Sequence, residues 1–228
     1  MLYTASSVRD NIRNRDGKRV FYLGKGDQLT ADAREYLIRE RIEILPASQA
    51  KPDRYQLLAG GYLEEKPEHM THLNAQVLVK KNHPRIRFRG KIDGLEAELL
   101  LCVSEATGEM AAQLQEILAF SRLLIRCDVL EEPVGQEKLC GLTLDELRSR
   151  SHRTQDYYGQ PHFMPSGQEG KLLLQVNRAR SVAREAELMA VEAFSDREGN
   201  PTRPDILRAL NRISSMLYLL MIGIKAGK

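Results

Sequence analysis

Hydrophobic residues recur with helical spacing through most of the chain after residue 88. One stripe contains Ile92, Leu95, Leu99, Cys102, Val103 and Ala106, and a second contains Met110, Leu114, Ile117, Leu118, Leu124 and Ile125. Spacings of three and four residues place such side chains on one face of an α-helix. The pattern therefore predicts two helices, which Gly108 separates.

Two further helices are predicted near the C-terminus, over LLLQVNRARSVAREAELMAVEAF and RPDILRALNRISSMLYLLM. The second opens with Pro204 and Asp205, which both favour a first helical turn. The region from 131 to 170 is rich in turn residues and has room for one short helix, from Leu144 to Arg150. Together these predicted helices indicate a mainly α fold, a bundle of about five helices with long connections.

The first third of the chain has a different pattern. Residues 18–46 read as a strand RVFYL, a turn GKGD, a helix TADAREYLIRER and a strand IEIL, and the segment ASQAKPDRYQLLAGG is typical of a linker. We therefore expect a small N-terminal α/β appendage and linker over residues 1–60 and a helical-bundle domain over residues 61–228.

Composition excludes several classes of protein. The 228 residues are 42% hydrophobic and 29% charged, and 34 basic against 31 acidic side chains give a net charge of +3. This near balance and the absence of Trp argue against a nucleic-acid binder. Cys102, Cys127 and Cys140 are odd in number and lack CxxC pairing, which indicates a reduced, cytoplasmic setting. The apolar run MLYLLMIGI is about half the length of a membrane span, so no membrane is expected.

Both C-terminal helices carry a polar face beside an apolar stripe. Arg180, Arg184 and Glu187 stand at i, i+4 and i+7. The second helix places Asn211, Ser214, Ser215 and Tyr218 on one face. These residues fit a cleft for a polyanionic ligand. They equally fit an ion-paired bundle face, in which Arg180 pairs with Asp93 and Arg184 with Glu187.

Other motifs are less informative. Lys80, Lys81, Arg85, Arg87, Arg89 and Lys91 crowd the segment before the first predicted bundle helix. Cations near a helix N-terminus can bind phosphate, although a solvated basic loop is the favoured interpretation. GKGDQLT lacks the GxxxxGK[ST] spacing of a phosphate-binding loop, and the five histidines show no metal-ligand spacing.

Four ordered blocks resemble the ATP:cob(I)alamin adenosyltransferases, and most closely their ethanolamine-utilisation branch. They are KPEHMTHLNA at 66–75, KKNHPRIRFRGKIDGLEAEL at 80–99, ARSVAREAE at 179–187 and RPDILRALNRISSMLY at 203–218. The resemblance implies a five-helix bundle that assembles as a homotrimer and binds ATP and the corrinoid at subunit interfaces. The implied reaction transfers the 5′-deoxyadenosyl group of ATP to Co(I), giving adenosylcobalamin and triphosphate.

The resemblance also implies roles for individual residues. Lys81 is similar to the family's phosphate-contacting lysine, and Asp93 to the acid that pairs with an arginine of the neighbouring subunit, here Arg180. Arg184 and Glu187 match positions that serve the triphosphate and its magnesium ion. Asn211 matches the family's nucleotide-contacting asparagine. Phe163 matches the aromatic residue that covers the lower face of the corrin.

Some family features are missing. KPEHMTHL has no glycine where the family has a phosphate loop, which leaves Thr71 as the equivalent residue. GGYLEEKPEHM has no cysteine where the ethanolamine branch often has a His and Cys cluster, so no protein-bound transition metal is expected. Glu185 and Leu188 replace two arginines around the triphosphate. A non-catalytic bundle that binds corrinoid or ATP for delivery or sensing is therefore the alternative.

Several partners follow from the same resemblance. A reductase must supply the electron that makes Co(I), and a cobalamin-dependent acceptor enzyme takes the product. Association with a bacterial microcompartment is compatible with the ethanolamine branch.

Overall fold

The computed structural model describes residues 1–15, 18–50, 54–75 and 77–227. The chain divides into two compact units. The smaller contains Met1–Tyr55 and Gly61–Glu65, and the larger contains Gln56–Gly60 and Lys66–Lys228.

The smaller unit is built on short strands and two helices. Its elements are β1 (Leu2–Tyr3), α1 (Ala5–Asp10), β2 (Arg13–Arg15), β3 (Lys18–Leu23), β4 (Gln28–Leu29), α2 (Ala31–Arg39) and β5 (Glu43–Pro46), followed by a 3-10 turn (Ala47–Gln49). Strand β3 pairs antiparallel with β2 and parallel with β5. Buried Val8, Phe21, Ala33, Leu37 and Ile42 form its core. The predicted α/β appendage is confirmed, although α1, β1, β2 and β4 were not predicted.

The segment interpreted as a linker contains regular structure. Strands β6 (Tyr55–Leu57) and β7 (Tyr62–Leu63) follow the 3-10 turn, and residues 51–53 lie outside the described residues. Strand β6 pairs parallel with β9 (Val77–Lys80), which also pairs antiparallel with β8 (Met70–His72). Strands of two to four residues are too short for an alternating hydrophobic pattern to reveal them.

The larger unit is the helical bundle. After β9 come α3 (Pro84–Glu105), α4 (Gly108–Val129), the hairpin β10 (Lys138–Leu139) and β11 (Leu142–Thr143), α5 (Leu144–His152), α6 (Thr154–Tyr158), α7 (Lys171–Ala193) and α8 (Pro204–Lys225). Helices α3, α4, α5, α7 and α8 confirm the predicted five-helix bundle, and α6 adds a short turn. Their buried apolar side chains form one continuous core.

Helix α3 begins four residues earlier than its hydrophobic periodicity indicates. The ring Nδ1 of His83 accepts a hydrogen bond from the N–H of Arg85 at 3.3 Å, and Pro84 occupies the first turn, where its missing N–H costs nothing. The basic segment is therefore mostly the first turns of a helix rather than a loop.

A fully buried carboxylate ties α3 to the end of α4. Asp128 accepts from Arg85 Nε at 2.8 Å and from Arg89 Nε at 2.6 Å, and Arg89 Nη2 also donates to the carbonyl of Leu73 at 2.7 Å. A buried charge is tolerated when it is paired and hydrogen-bonded in this way. This three-residue cluster fixes the start of α3.

Helices α3 and α7 run antiparallel along a ladder of ion pairs. The four pairs are Arg87–Glu192 at 2.6 Å, Lys91–Glu185 at 2.5 Å, Arg178–Glu98 at 3.2 Å and Lys171–Glu105 at 2.5 Å. On α7, the fully buried Ala179, Ala183, Ala186 and Ala190 form a stripe of small side chains. Small residues let neighbouring helices approach closely, and α7 packs against both α3 and α8.

Helix α8 is long and apolar enough, by length and composition, to cross a membrane. However, 61% of that apolar window is buried inside the bundle, as is usual for the central helix of a folded core. The nine-residue run noted in the sequence is the apolar end of this core helix.

Candidate functional site

Two arginines of α7 form a cationic surface next to the alanine stripe. Among the described residues, exposed Arg184 makes no ion pair, and half-buried Arg180 donates only to Asn177 Oδ1, at 3.2 and 3.3 Å. Burial lowers the pKa of the Arg180 guanidinium, and the nearby positive charge of Arg184 lowers it further. Two like charges left without a carboxylate are arranged to attract an anion.

Glu187 and Asn211 join α7 to α8 beside this surface. Asn211 Nδ2 donates to Glu187 Oε1 at 3.1 Å. Glu187 therefore binds an amide rather than Arg184, and Asp93 is exposed on α3 with no ion pair among the residues described. Neither intrachain pair of the ion-paired interpretation is formed, which favours the ligand cleft.

The segment between α6 and α7 rests on the same surface through Tyr218 of α8. The Phe163 ring stacks on Tyr218 with centroids 6.2 Å apart, and the His162 ring stacks on it at 5.7 Å. Arg180 Cζ lies 5.8 Å from the centroid of the Tyr218 ring, within cation–π range. Phe163 is half-buried against the bundle core. Arg180 and the predicted corrin-covering residue Phe163 thus meet at one tyrosine.

Thr71 and Lys81 lie together at the β8–β9 hairpin. Thr71 is opposite Val79 in the ladder, and the N–H of Lys81 donates to the carbonyl of His69 at 2.9 Å. The Lys81 side chain is exposed. Among the described residues, no hydrogen bond, ion pair or ring contact joins these two residues to the α7–α8 surface.

Most of the basic segment serves the bundle. Arg85 and Arg89 bind Asp128, whereas Arg87 and Lys91 belong to the α3–α7 ladder. These four cations are satisfied by carboxylates of the chain, so a wholly solvated basic loop does not describe them. Lys81 is exposed at the end of the hairpin and is available to a ligand.

Within the described residues, no group of three or more His, Cys, Asp and Glu side chains is placed to hold a metal ion. The three cysteines are free thiols. Burial raises the pKa of Cys102 to about 11 and that of Cys140 to about 12, and a thiol with such a pKa is a poor nucleophile near neutral pH.

The family of the chain follows from comparison with known proteins. The sequence profile of the cobalamin adenosyltransferases matches residues 61–224. The chain belongs to this family.

Two related proteins are both named corrinoid adenosyltransferase EutT. The Salmonella typhimurium protein is 29% identical, over 96% of this chain and 90% of its own length. The protein of Escherichia coli K12 is 33% identical, over 95% of this chain and 80% of its own length. Identity over nearly the whole chain confirms the predicted ethanolamine-utilisation type of cobalamin adenosyltransferase.

Solved PduO-type corrinoid adenosyltransferases from Lactobacillus reuteri share the bundle. An arginine-to-lysine variant complexed with ATP has a TM-score of 0.53 at 17% identity, covering 70% of this chain and 90% of that one. A phenylalanine-to-alanine variant complexed with cobalamin and ATP has a TM-score of 0.50 at 14% identity, covering 77% and 90%. Likeness at such identities shows the cobalamin adenosyltransferase fold.

Sequence reasoning left three residues of this adenosyltransferase without a role. Tyr218 was noted only as part of a polar face, and His162 was interpreted as a histidine with a structural or surface role. Arg212 was not considered: it is 6% exposed, its Nε has no hydrogen-bond partner among the described residues, and its Nη1 donates to Asn211 Oδ1. Burial lowers the pKa of Arg212, as do nearby Arg148 and Arg208. In the sequence, the position of Arg212 next to Asn211 could have marked it as a candidate site residue.

Proposed function

We propose that the chain transfers the 5′-deoxyadenosyl group of ATP to Co(I) of a corrinoid. The observation that carries the proposal is Arg184, which makes no ion pair among the described residues and shares α7 with Glu187, while neighbouring Arg180 meets the Phe163 segment at Tyr218. Anion-binding groups and an apolar aromatic on one surface suit a polyphosphate and a large planar ring.

The reaction needs no proton transfer. The electron pair of Co(I) forms a bond to C5′ of ATP, the C5′–O bond breaks, and the triphosphate leaves with that electron pair. Because Co(I) is already a strong nucleophile, the protein must orient the reactants, exclude water and balance the charge of the leaving group. Arginines without a carboxylate partner are suited to that last task.

The triphosphate site combines two subunits in our proposal. Arg184 contributes from α7, and Lys81 and Thr71 contribute from the β8–β9 hairpin of a neighbouring chain. The exposed Asp93 pairs across the same interface with Arg180 of the neighbour, giving a homotrimer. Among the described residues, no hydrogen bond, ion pair or ring contact joins Thr71 or Lys81 to the α7–α8 surface of the same chain, which supports this division.

A magnesium ion would accompany the triphosphate. Mg²⁺ is usually held by one or two carboxylates and by substrate phosphates. Glu187 uses Oε1 for Asn211, and its other oxygen accepts no hydrogen bond among the residues described, so the carboxylate fits this role. The ion would add positive charge next to Arg184.

Phe163 covers the lower face of the corrin in this proposal. An apolar ring there excludes an axial ligand, which makes cobalt easier to reduce. Cob(II)alamin bound to the Phe163→Ala variant should therefore be reduced by an added electron donor about tenfold more slowly, which corresponds to ~1.4 kcal/mol, with an unchanged KM for ATP. The absorption spectrum of bound cob(II)alamin measures the effect. A spectrum identical to that of the wild type would contradict this role.

The alternative function is a bundle that binds ATP or corrinoid without catalysis. An anaerobic single-turnover assay with ATP and chemically reduced cob(I)alamin separates the two functions. We expect stoichiometric adenosylcobalamin together with one triphosphate per cobalt–carbon bond. Binding of both substrates with no cobalt–carbon product would favour the delivery or sensing function.

Residues 61–228 form the catalytic domain in this proposal, because the family match begins at residue 61. Residues 1–60 form the N-terminal appendage and linker, of which Gln56–Gly60 belong to the larger compact unit. A reductase and a cobalamin-dependent acceptor enzyme are the proposed partners, in the cytoplasm or at a microcompartment.

A further inference from the structure

We infer that Tyr218 is the positioning residue that holds Phe163 in place. This inference rests on the proposed function, since it assigns to Tyr218 the geometry on which the covering of the corrin depends. Tyr218 acts through Phe163 and does not itself touch the reacting atoms.

The hydroxyl group of Tyr218 joins the segment between α6 and α7 to α8 by directed hydrogen bonds. The N–H of Phe163 donates to Tyr218 Oη at 3.3 Å, and Oη lies 3.0 Å from His162 Nδ1. His162 Nε2 lies 3.2 Å from the carbonyl oxygen of His152, which can only accept. We therefore assign the proton to Nε2, so that Nδ1 accepts from the Tyr218 hydroxyl. The Tyr218 hydroxyl thus accepts a hydrogen bond from the N–H of Phe163 and donates one to His162 Nδ1.

Little else fixes this part of the segment. Within the described residues, 160–165 make no backbone–backbone hydrogen bond. Met164 is 92% exposed, and the remaining contacts of Phe163 are packing against the core and a Lys225 Nζ that lies 5.7 Å from its ring centroid. Packing of the Phe163 ring restrains the segment between α6 and α7, but it does not fix which backbone N–H lies against α8. The Tyr218 hydroxyl fixes this, because it accepts a hydrogen bond from the N–H of Phe163.

The tyrosine also contacts Arg180, which the proposed function pairs with Asp93 of a neighbouring subunit. Arg180 Cζ lies 5.8 Å from the centroid of its ring, and Tyr218 projects from the buried helix α8. A movement of Arg180 when it meets its proposed partner in the next subunit would reach Phe163 through this one ring. Tyr218 therefore links the proposed subunit interface to the corrin side of the cleft.

The Tyr218→Phe variant of the full chain tests the inference, because it keeps the ring and removes both hydrogen bonds. Each neutral hydrogen bond changes an equilibrium by about 2- to 10-fold. With ATP bound, the ratio of four-coordinate to five-coordinate cob(II)alamin should fall by about 4- to 100-fold, as read from the absorption and magnetic circular dichroism spectra. The KM for ATP should stay unchanged.

Amide exchange supplies a second measurement that needs no substrate. The N–H of Phe163 should exchange about 2- to 10-fold faster in Tyr218→Phe than in the wild type, since it has lost its acceptor. The matched control is Tyr157→Phe, which removes a surface hydroxyl that contacts Ser149 and Arg153. It should change neither the cobalt spectrum nor the exchange of Phe163.

The possible outcomes separate the inference from the proposed function. A wild-type cobalt spectrum and wild-type exchange in Tyr218→Phe, with a loss of the four-coordinate species in Phe163→Ala, overturn the inference and leave the proposed function standing. A wild-type chain that forms no adenosylcobalamin overturns both. A lower four-coordinate ratio at unchanged KM for ATP supports the positioning role.

Discussion

The Arg184→Ala variant is expected to turn over about 100- to 1,000-fold more slowly than the wild type and to fold normally. Arg184 makes no ion pair among the described residues and is exposed, so its removal leaves no buried carboxylate without a partner. Negative charge on the triphosphate grows as the C5′–O bond breaks. A fixed guanidinium that neutralises this charge stabilises the transition state more than the ground state, so kcat should fall more than KM rises.

Steady-state kinetics with cob(I)alamin and ATP measures this loss. The matched control is Arg178→Ala on the same helix, because exposed Arg178 pairs with Glu98 in the α3–α7 ladder and does not face the cleft. It should remain within about threefold of wild-type turnover, as expected for an exposed pair of 0–1 kcal/mol. Near-wild-type turnover in Arg184→Ala would refute the proposed assignment of the triphosphate site.

The Asp128→Asn variant is expected to lower the free energy of unfolding by about 3 to 5 kcal/mol. Asp128 is fully buried and binds two guanidinium groups, from Arg85 at 2.8 Å and Arg89 at 2.6 Å. The amide keeps the shape of the side chain, but it removes the negative charge and leaves two poorly solvated cations side by side. The start of α3 and the end of α4 then lose their common anchor.

Equilibrium unfolding in urea measures the change in stability. The control is Asp145→Asn, which breaks the exposed Arg208–Asp145 pair at 2.9 Å. Its effect should stay within about 1 kcal/mol, since exposed ion pairs contribute little. A loss no larger for Asp128→Asn than for this control would show that the buried cluster does not anchor α3.

The family and its bundle could be predicted from sequence because both depend on local order. Helical spacing needs only residues three and four apart, and the ordered blocks from KPEHMTHLNA to RPDILRALNRISSMLY carry the family pattern. Boundaries were less accurate where a single cap decides them: His83 starts α3 ahead of its apolar stripe. Strands β1, β2 and β4 of the smaller unit are too short for alternation to reveal.

Periodicity also placed Arg180, Arg184 and Glu187 on one face of a helix, but it could not say whether they pair with each other. The answer depended on α8. Asn211 of that helix donates a hydrogen bond to Glu187, and Arg184 makes no ion pair among the described residues. The basic segment shows the same limit. Arg85 and Arg89 are bound by a carboxylate 43 and 39 residues away.

Residue types and spacing thus determined the helices, the family and the candidate side chains of this adenosyltransferase. Tertiary packing decided which charges are neutralised and which stay available, and it brought Phe163 to Tyr218 across 55 residues of chain. The physical reason is that hydrophobic periodicity reports which face of a helix is buried. The partner of each polar group, in contrast, is set by whichever distant donor or acceptor the packed helices bring within about 3 Å.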